Sequence, residues 1–167
     1  MHEGSGRNPE PSSCRMKKTL TLTILGTPTG QGSMRAQLIN GRATMRHSQP
    51  NKIAEFRAHV HHYAQTHFTN EKPLTGPITI YITALYQRPK THYLTSGQIK
   101  TNAPQHPTTR FNSDIDKTCR LVLDALTQTQ LIIDDSHVTQ LEAEKRFAQP
   151  GEQPGYQITI IGEQTND

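Results

Sequence analysis

Between Thr19 and Ile161 the apolar residues change period repeatedly, and the order of those changes limits the folds open to the chain. Residues 19–25 (TLTLTIL) alternate one by one, which suits a strand with one buried face. Residues 35–45 read as a small hairpin around Asn40-Gly41, a dipeptide suited to a type I′ turn. Ile53, Phe56, Val60, Tyr63 and His67 recur at threes and fours, so a helix is predicted from a cap at Ser48 or Asn51 to about Phe68. Ile78, Ile80, Ile82 and Ala84 return to period two in a strand over residues 78–86. Ile115, Cys119, Val122, Leu123 and Leu126 form a second helical stripe, and strands follow over residues 138–147 and 156–161. This order predicts an α+β fold, a mixed sheet with two main helices packed on one face.

The 167 residues fit one domain over residues 19–163, preceded by a basic tail over residues 1–18 that its Gly, Pro and Ser content marks as disordered. Mean hydropathy is −0.71, and no run approaches the roughly 20 apolar residues needed to span a bilayer. The N-terminus lacks the apolar core of a signal peptide, so no membrane partner and a cytoplasmic location are predicted. Cys14 and Cys119 stand alone, which fits a reduced compartment better than a disulfide framework. A formal charge of +4 favours an acidic partner, nucleic acid above all.

Against that basic background the acids concentrate late: Asp114, Asp116, Asp124, Asp134 and Asp135. Metal-assisted phosphodiester chemistry needs several carboxylates converging on one cation. Asp114 and Asp116 can share one if the backbone there is extended or just entering the helix, since residues two apart diverge within a helix. A third acid from the later pair would complete the set, provided the helix between them folds back. Asp is also common at helix starts and in turns, so Asp114 as an N-cap and Asp134-Asp135 as a loop is the other reading. Arg120 lies one turn beyond Asp116, either in a surface ion pair with Asp116 or Asp124 or holding a phosphate beside the metal. Asp124, further along, reads as structural.

Residues 87–113 show no periodicity and carry Arg88, Lys90, Lys100 and Arg110, which predicts a mobile segment that orders on DNA phosphates. Residues 26–33 are glycine-rich but lack the Gly-Lys-Ser/Thr of a nucleotide-binding loop, and are read as lying near the active site or DNA, or as a plain strand-exit turn. His59, His61, His62 and His67 crowd the first helix without zinc-like spacing.

These motifs taken in order resemble the RusA family of Holliday-junction resolvases, in the form carried by phages and prophages. The matching residues are Gly26-x-Pro28-x-x-Gln31-Gly32-Ser33, Asn40-Gly41-Arg42, Phe56-Arg57, Asp114-x-Asp116-Lys117, Arg120, Leu123-Asp124-Ala125-Leu126, Asp134-Asp135-x-x-Val138 and Lys145. The resemblance spans about residues 19–162 and implies a homodimeric endonuclease that cuts branched DNA, such as a four-way junction, with paired symmetric cuts in recombination and repair. It implies Mg²⁺, with Mn²⁺ as a substitute, held by Asp114, Asp116 and Asp135. These three and Arg120, at the place of the family's usual Lys, are the catalytic residues it implies. Arg35, Arg88, Lys90, Lys100, Arg110, Lys117 and Lys145 are the DNA-contact candidates. Ser113 departs from the Pro common before the first Asp. A non-catalytic DNA-binding module on the same scaffold is the alternative.

Overall fold

The computed structural model describes residues 15–32, 34–46, 49–109 and 112–165, with the backbone alone at Arg35, Arg46 and Thr165. The elements are β1 (Arg15–Leu25), β2 (Arg35–Ile39), β3 (Arg42–Arg46), α1 (Pro50–His67), β4 (Thr75–Tyr86), α2 (Ile115–Gln128), β5 (Val138–Phe147) and β6 (Gly155–Thr165). The main sheet has the order β1-β6-β4-β5, antiparallel except for the β4–β5 pair, so it is mixed as predicted. β4, α2 and β5 form a crossover unit, with α2 running back along the sheet between two parallel strands.

Strand alternation puts Leu20, Leu22 and Ile24 of β1 on the same buried face as Ile158 and Ile160 of β6 and Ile78, Ile80 and Ile82 of β4. Both helices bury their apolar stripes against that face. Ile53, Phe56, Val60 and Ala64 do so from α1, and the Phe56 ring meets Tyr156 with centroids 4.6 Å apart. The other face exposes Thr19, Thr21, Thr23 and Tyr81. The α+β class with two helices on a mixed sheet is therefore the observed fold.

The boundaries differ from the sequence reading in instructive ways. β1 starts at Arg15, inside the stretch read as tail, because Arg15 to Lys18 pair with Thr165 to Gly162 of β6. The rest of the predicted tail, residues 1–14, lies outside the described residues, as does Ser48. α1 is entered from Gln49, with Pro50 at the first helical position, where a missing N–H costs nothing. α2 is rotated from its predicted stripe: Thr118, Leu121, Val122, Ala125 and Leu126 are buried, whereas Ile115 is 40% exposed. Asn40 (φ 51°) and Gly41 (φ 75°) both adopt positive φ between Ile39 and Arg42, the two-residue turn that the dipeptide predicts.

The largest correction concerns the segment after β4. Residues 87–109 are tied down rather than structureless. A 3-10 turn spans Lys90–His92, Tyr93 bridges Ile99, and Phe147 donates its N–H to the Gln105 carbonyl at 2.9 Å. Arg88, expected to meet DNA, is only 2% exposed. Its guanidinium donates to the carbonyls of Ala148 (3.3 Å) and Pro104 (3.0 Å) and to Gln105 Oε1 (3.3 Å), and lies 5.4 Å from the Phe147 ring centroid. A basic residue in an aperiodic stretch is here the internal fastener of that stretch.

Two outcomes follow from this packing. Arg88→Ala strands the Pro104 and Ala148 carbonyls and should destabilise the fold by about 2–4 kcal/mol in urea titration. Arg146 clasps Glu152 across the β5–β6 connection at 2.6 and 2.8 Å, and with the Gln149 N–H holds the Glu152 pKa near 2 instead of 4.5. A depressed carboxylate stabilises the fold above its unfolded pKa and loses that contribution as pH falls through the folded one. Glu152→Gln should therefore cost about 1 kcal/mol at pH 7, and the gap to the parent should close between pH 4.5 and 2 in thermal melts.

Candidate active site

Strand β1 ends at Gly26, and the loop that follows is fixed by side chains from three directions. Tyr156, buried in the sheet, accepts the Thr29 N–H at 2.6 Å and donates its hydroxyl to the Thr29 carbonyl at 2.7 Å. The Gln31 N–H reaches the Lys117 carbonyl at 2.9 Å. The Gln31 side chain donates to Asp124 Oδ2 at 2.7 Å and accepts from Arg57 Nη2 at 2.8 Å. At Gly30 the loop lies so close to α2 that an added Cβ would sit 1.9 Å from Ser113 Oγ and 2.8 Å from Lys117 Cβ. Together these contacts hold the loop against the start of α2 and form one wall of a polar cleft of about 260 Å³. Gln49 and Lys52 of α1, Tyr86 at the end of β4, and Ser113, Asp114 and Lys117 line the rest.

Asp114 occupies the N-cap position of α2 with extended backbone (φ −65°, ψ 145°), yet its carboxylate makes no capping bond. It pairs instead with Lys117, three residues on. The Lys117 ammonium holds the Asp114 carboxyl below the usual carboxylate range, with Lys145 adding to the effect, and Asp114 in turn raises Lys117. Lys145 reaches in from β5 and donates to the Ser113 carbonyl at 3.1 Å. Asp116 follows in the exposed first turn, so the condition that Asp114 and Asp116 straddle a helix entry is met. Arg120 is exposed and has no ion-pair partner among the described residues. Asp124 has taken up Arg57 and Gln31, the structural use read from its position.

Asp135 is placed elsewhere. Asp134 caps a 3-10 turn over Asp135–His137, accepting the Ser136 N–H at 2.9 Å; the Ser136 hydroxyl and then that N–H lower its pKa, and the Asp135 carboxylate stays exposed. That turn precedes β5, whereas Ser113 meets β5 near its far end, at Lys145. α2 spans 14 residues, a length of about 20 Å, and does not fold back. Among the described residues no three His, Cys, Asp or Glu side chains lie close enough together to hold a metal ion. Carboxylate oxygens suit a hard divalent cation such as Mg²⁺. The donor chemistry thus fits, but its arrangement within one chain does not.

Of the DNA-contact candidates, Lys117 and Lys145 lie at this site, Lys90 and Lys100 lie exposed on the ordered segment, and Arg88 is buried. Arg110 and the Arg35 side chain are outside the described residues. Sequence reasoning missed Lys52, Arg57 and Tyr86 as parts of the site. One signal was available: no acid occurs between Glu10 and Glu55, a stretch holding Arg15, Lys17, Lys18, Arg35, Arg42, Arg46 and Lys52. Among the described residues, no helix is long and apolar enough to cross a membrane.

A glycine-rich loop clamped on an acid-bearing helix start, within a basic chain, is an arrangement suited to handling phosphodiesters. A sequence model of endodeoxyribonuclease RusA matches residues 26–161, a span that takes in the loop, the cleft and all the acids discussed here. The chain belongs to the RusA endodeoxyribonuclease family, which supports a Holliday-junction endonuclease. It is also 30% identical over 144 residues to the uncharacterized protein YqaN of Bacillus subtilis (strain 168), covering 84% of this chain and 94% of that protein.

The packing at Gly30 makes a direct prediction. Gly30→Ala must push the loop away from Ser113 and Lys117, costing about 1–3 kcal/mol in chemical denaturation and lowering any activity that depends on Asp114.

Proposed function

We propose that this protein is a divalent-metal-dependent endodeoxyribonuclease that resolves four-way junctions and related branched DNA by paired symmetric phosphodiester cleavage. It works as a homodimer on Mg²⁺, with Mn²⁺ able to substitute, in the cytoplasm during recombination and repair. The observation that carries this reading is Asp114, a helix-start carboxylate withheld from capping and set beside Asp116, Lys117 and Lys145 at the mouth of a polar cleft.

Asp114, Asp116 and Asp135 are the proposed metal-holding acids, and the fold constrains how they meet. One chain keeps the first two and the third at opposite ends of α2. A two-fold dimer exchanges ends, so Asp135 of a second copy can face Asp114 and Asp116 of the first. Each dimer then carries two composite sites, which is what paired cuts require. Within a site, Lys117 and Lys145 reduce the repulsion between acids and phosphate. Arg120, unpaired and one turn past Asp116, faces the scissile phosphate and keeps its charge at any working pH. Lys90 and Lys100 contact the arms of the DNA.

Cleavage of a synthetic four-way junction with and without Mg²⁺ tests the activity itself; a protein that binds the junction and never cuts it would be a binding module. Asp116→Asn should abolish cutting while leaving the fold and junction binding intact. Mixing tests the composite site. Asp114→Asn and Asp135→Asn homodimers should each be inactive, whereas the mixed dimer, with one complete site, should nick one strand. Failure of the mixture to nick, with both variants folded and dimeric, would rule out sharing. Arg120→Ala should slow the chemical step by about 3 kcal/mol with near-normal affinity, whereas neutralising Lys90 and Lys100 should weaken binding and flatten its salt dependence.

A further inference from the structure

The cleft has a second side that the acids do not use. Gln49 and Lys52, at the start of an 18-residue helix, also wall it. α1 has no acid in its first turn and no side-chain cap, so the positive end of its dipole is left for an outside group. Lys52 is exposed there without an ion-pair partner among the described residues. This wall belongs to the acid-free stretch between Glu10 and Glu55.

The floor provides an independent observation. Tyr86 is only 6% exposed, lines the cleft, and its hydroxyl has no hydrogen-bond partner among the described residues. A buried unpaired hydroxyl costs about 1–3 kcal/mol, so it calls for an explanation. The groups nearest to it, the Ser113 backbone and Thr118, leave its proton without an acceptor, the Thr118 hydroxyl being directed at the Asp114 carbonyl (3.2 Å). Burial pushes the Tyr86 phenol up, with the Ser113 backbone and Thr118 pulling the other way, so it stays a protonated donor. A donor at the floor, an ammonium on the wall and an uncapped helix start all favour an acceptor-rich anion.

We infer that this half of the cleft binds a phosphate of the DNA strand, held by Lys52, the first N–H groups of α1 and the Tyr86 hydroxyl. The inference rests on the nuclease reading for its ligand, a phosphodiester neighbouring the one that is cut. Tyr86 and Lys52 are then positioning residues: they set where the strand lies relative to Asp114 and Asp116.

Two measurements test this. Binding of a four-way junction is followed by fluorescence anisotropy with Ca²⁺ in place of Mg²⁺, across a salt series. Tyr86→Phe should weaken binding about fivefold without lowering the melting temperature, because it removes a hydroxyl that has no partner in the free protein. Lys52→Gln should weaken binding and reduce the salt slope by about one. Separately, the dinucleotide pTpT and inorganic phosphate are titrated against the full-length protein while the amide shifts of Asn51 and Lys52 are followed by NMR. Both amides should move with pTpT, more weakly with phosphate, and lose the response in Lys52→Gln. Unchanged junction affinity in both variants together with silent amides would overturn the site, even in a protein that cuts junctions. Amides that respond to phosphate as strongly as to pTpT would overturn the DNA strand as its ligand. Responsive amides in a protein that never cuts would uphold the phosphate site while the nuclease reading fails.

Discussion

The Gln31 side chain is the joint on which the functional end of the molecule depends. One amide group donates to Asp124 on α2 and accepts from Arg57 on α1, while its backbone N–H bonds the Lys117 carbonyl. Gln31 is 9% exposed, so these bonds form in a region of reduced dielectric, where a satisfied network is strengthened and a broken one is costly. The consequence is geometric. Two helices that pack on one sheet face through apolar residues alone could slide along each other by a fraction of a turn. The Gln31 side chain ties the middle of α1 and the second half of α2 to the loop, and its backbone N–H ties the first turn of α2, so the loop, Lys52 and Asp114 keep one spacing around the cleft.

What could be read in advance follows from how local each signal is. Period-two alternation and stripes at threes and fours pointed to the four strands of the main sheet and to both helices, because burying one face is a local demand on the chain. The Asn40-Gly41 turn was equally local. Exposure of charged residues was not. Arg88 lies in a segment with no period, and nothing nearby in sequence shows that Ala148, Pro104 and Phe147 surround it. The rotation of α2 was hidden for a similar reason. Thr118 is buried because its hydroxyl reaches the carbonyls of Asp114 and Thr29, a solution that a hydrophobicity pattern does not register. For the site, the resemblance pointed to the acids; Lys52 and Arg57 come from α1 and Tyr86 from the end of β4, and they meet the acids only in three dimensions.

The separation of the acids is itself a result of topology. In a β-α-β crossover with parallel strands, the helix must run against both, so the residues before it and after it lie at opposite ends. Asp114 precedes α2 and Asp135 follows it. A chain of this fold with acids at both places holds them a helix length apart, and the proposed acid set therefore calls for a second copy. In the proposed reading, paired cuts on a symmetric junction and a complete acid set are met by the same two-fold dimer, so the two proposals support each other.

The two Asp pairs also differ in how their side chains are used. Asp134 accepts the Ser136 N–H and serves its own turn, while Asp135 beside it stays exposed. Asp114 holds the N-cap position of α2 and does not cap, forgoing a bond typically worth about 0.5–2 kcal/mol. Helix α2 is held in place by other means: Thr118 bonds back to Asp114 and Thr29, Lys145 fastens the Ser113 carbonyl, and Gln31 takes the Lys117 carbonyl. Those contacts relieve Asp114 of the structural duty its position would ordinarily impose. A carboxylate kept ionised by Lys117, turned toward a polar cleft and released from capping exchanges a helix cap for an exposed ion pair, the weaker of the two structural uses. The proposed nuclease role accounts for that exchange, because it needs this carboxylate free to hold a cation beside a phosphodiester.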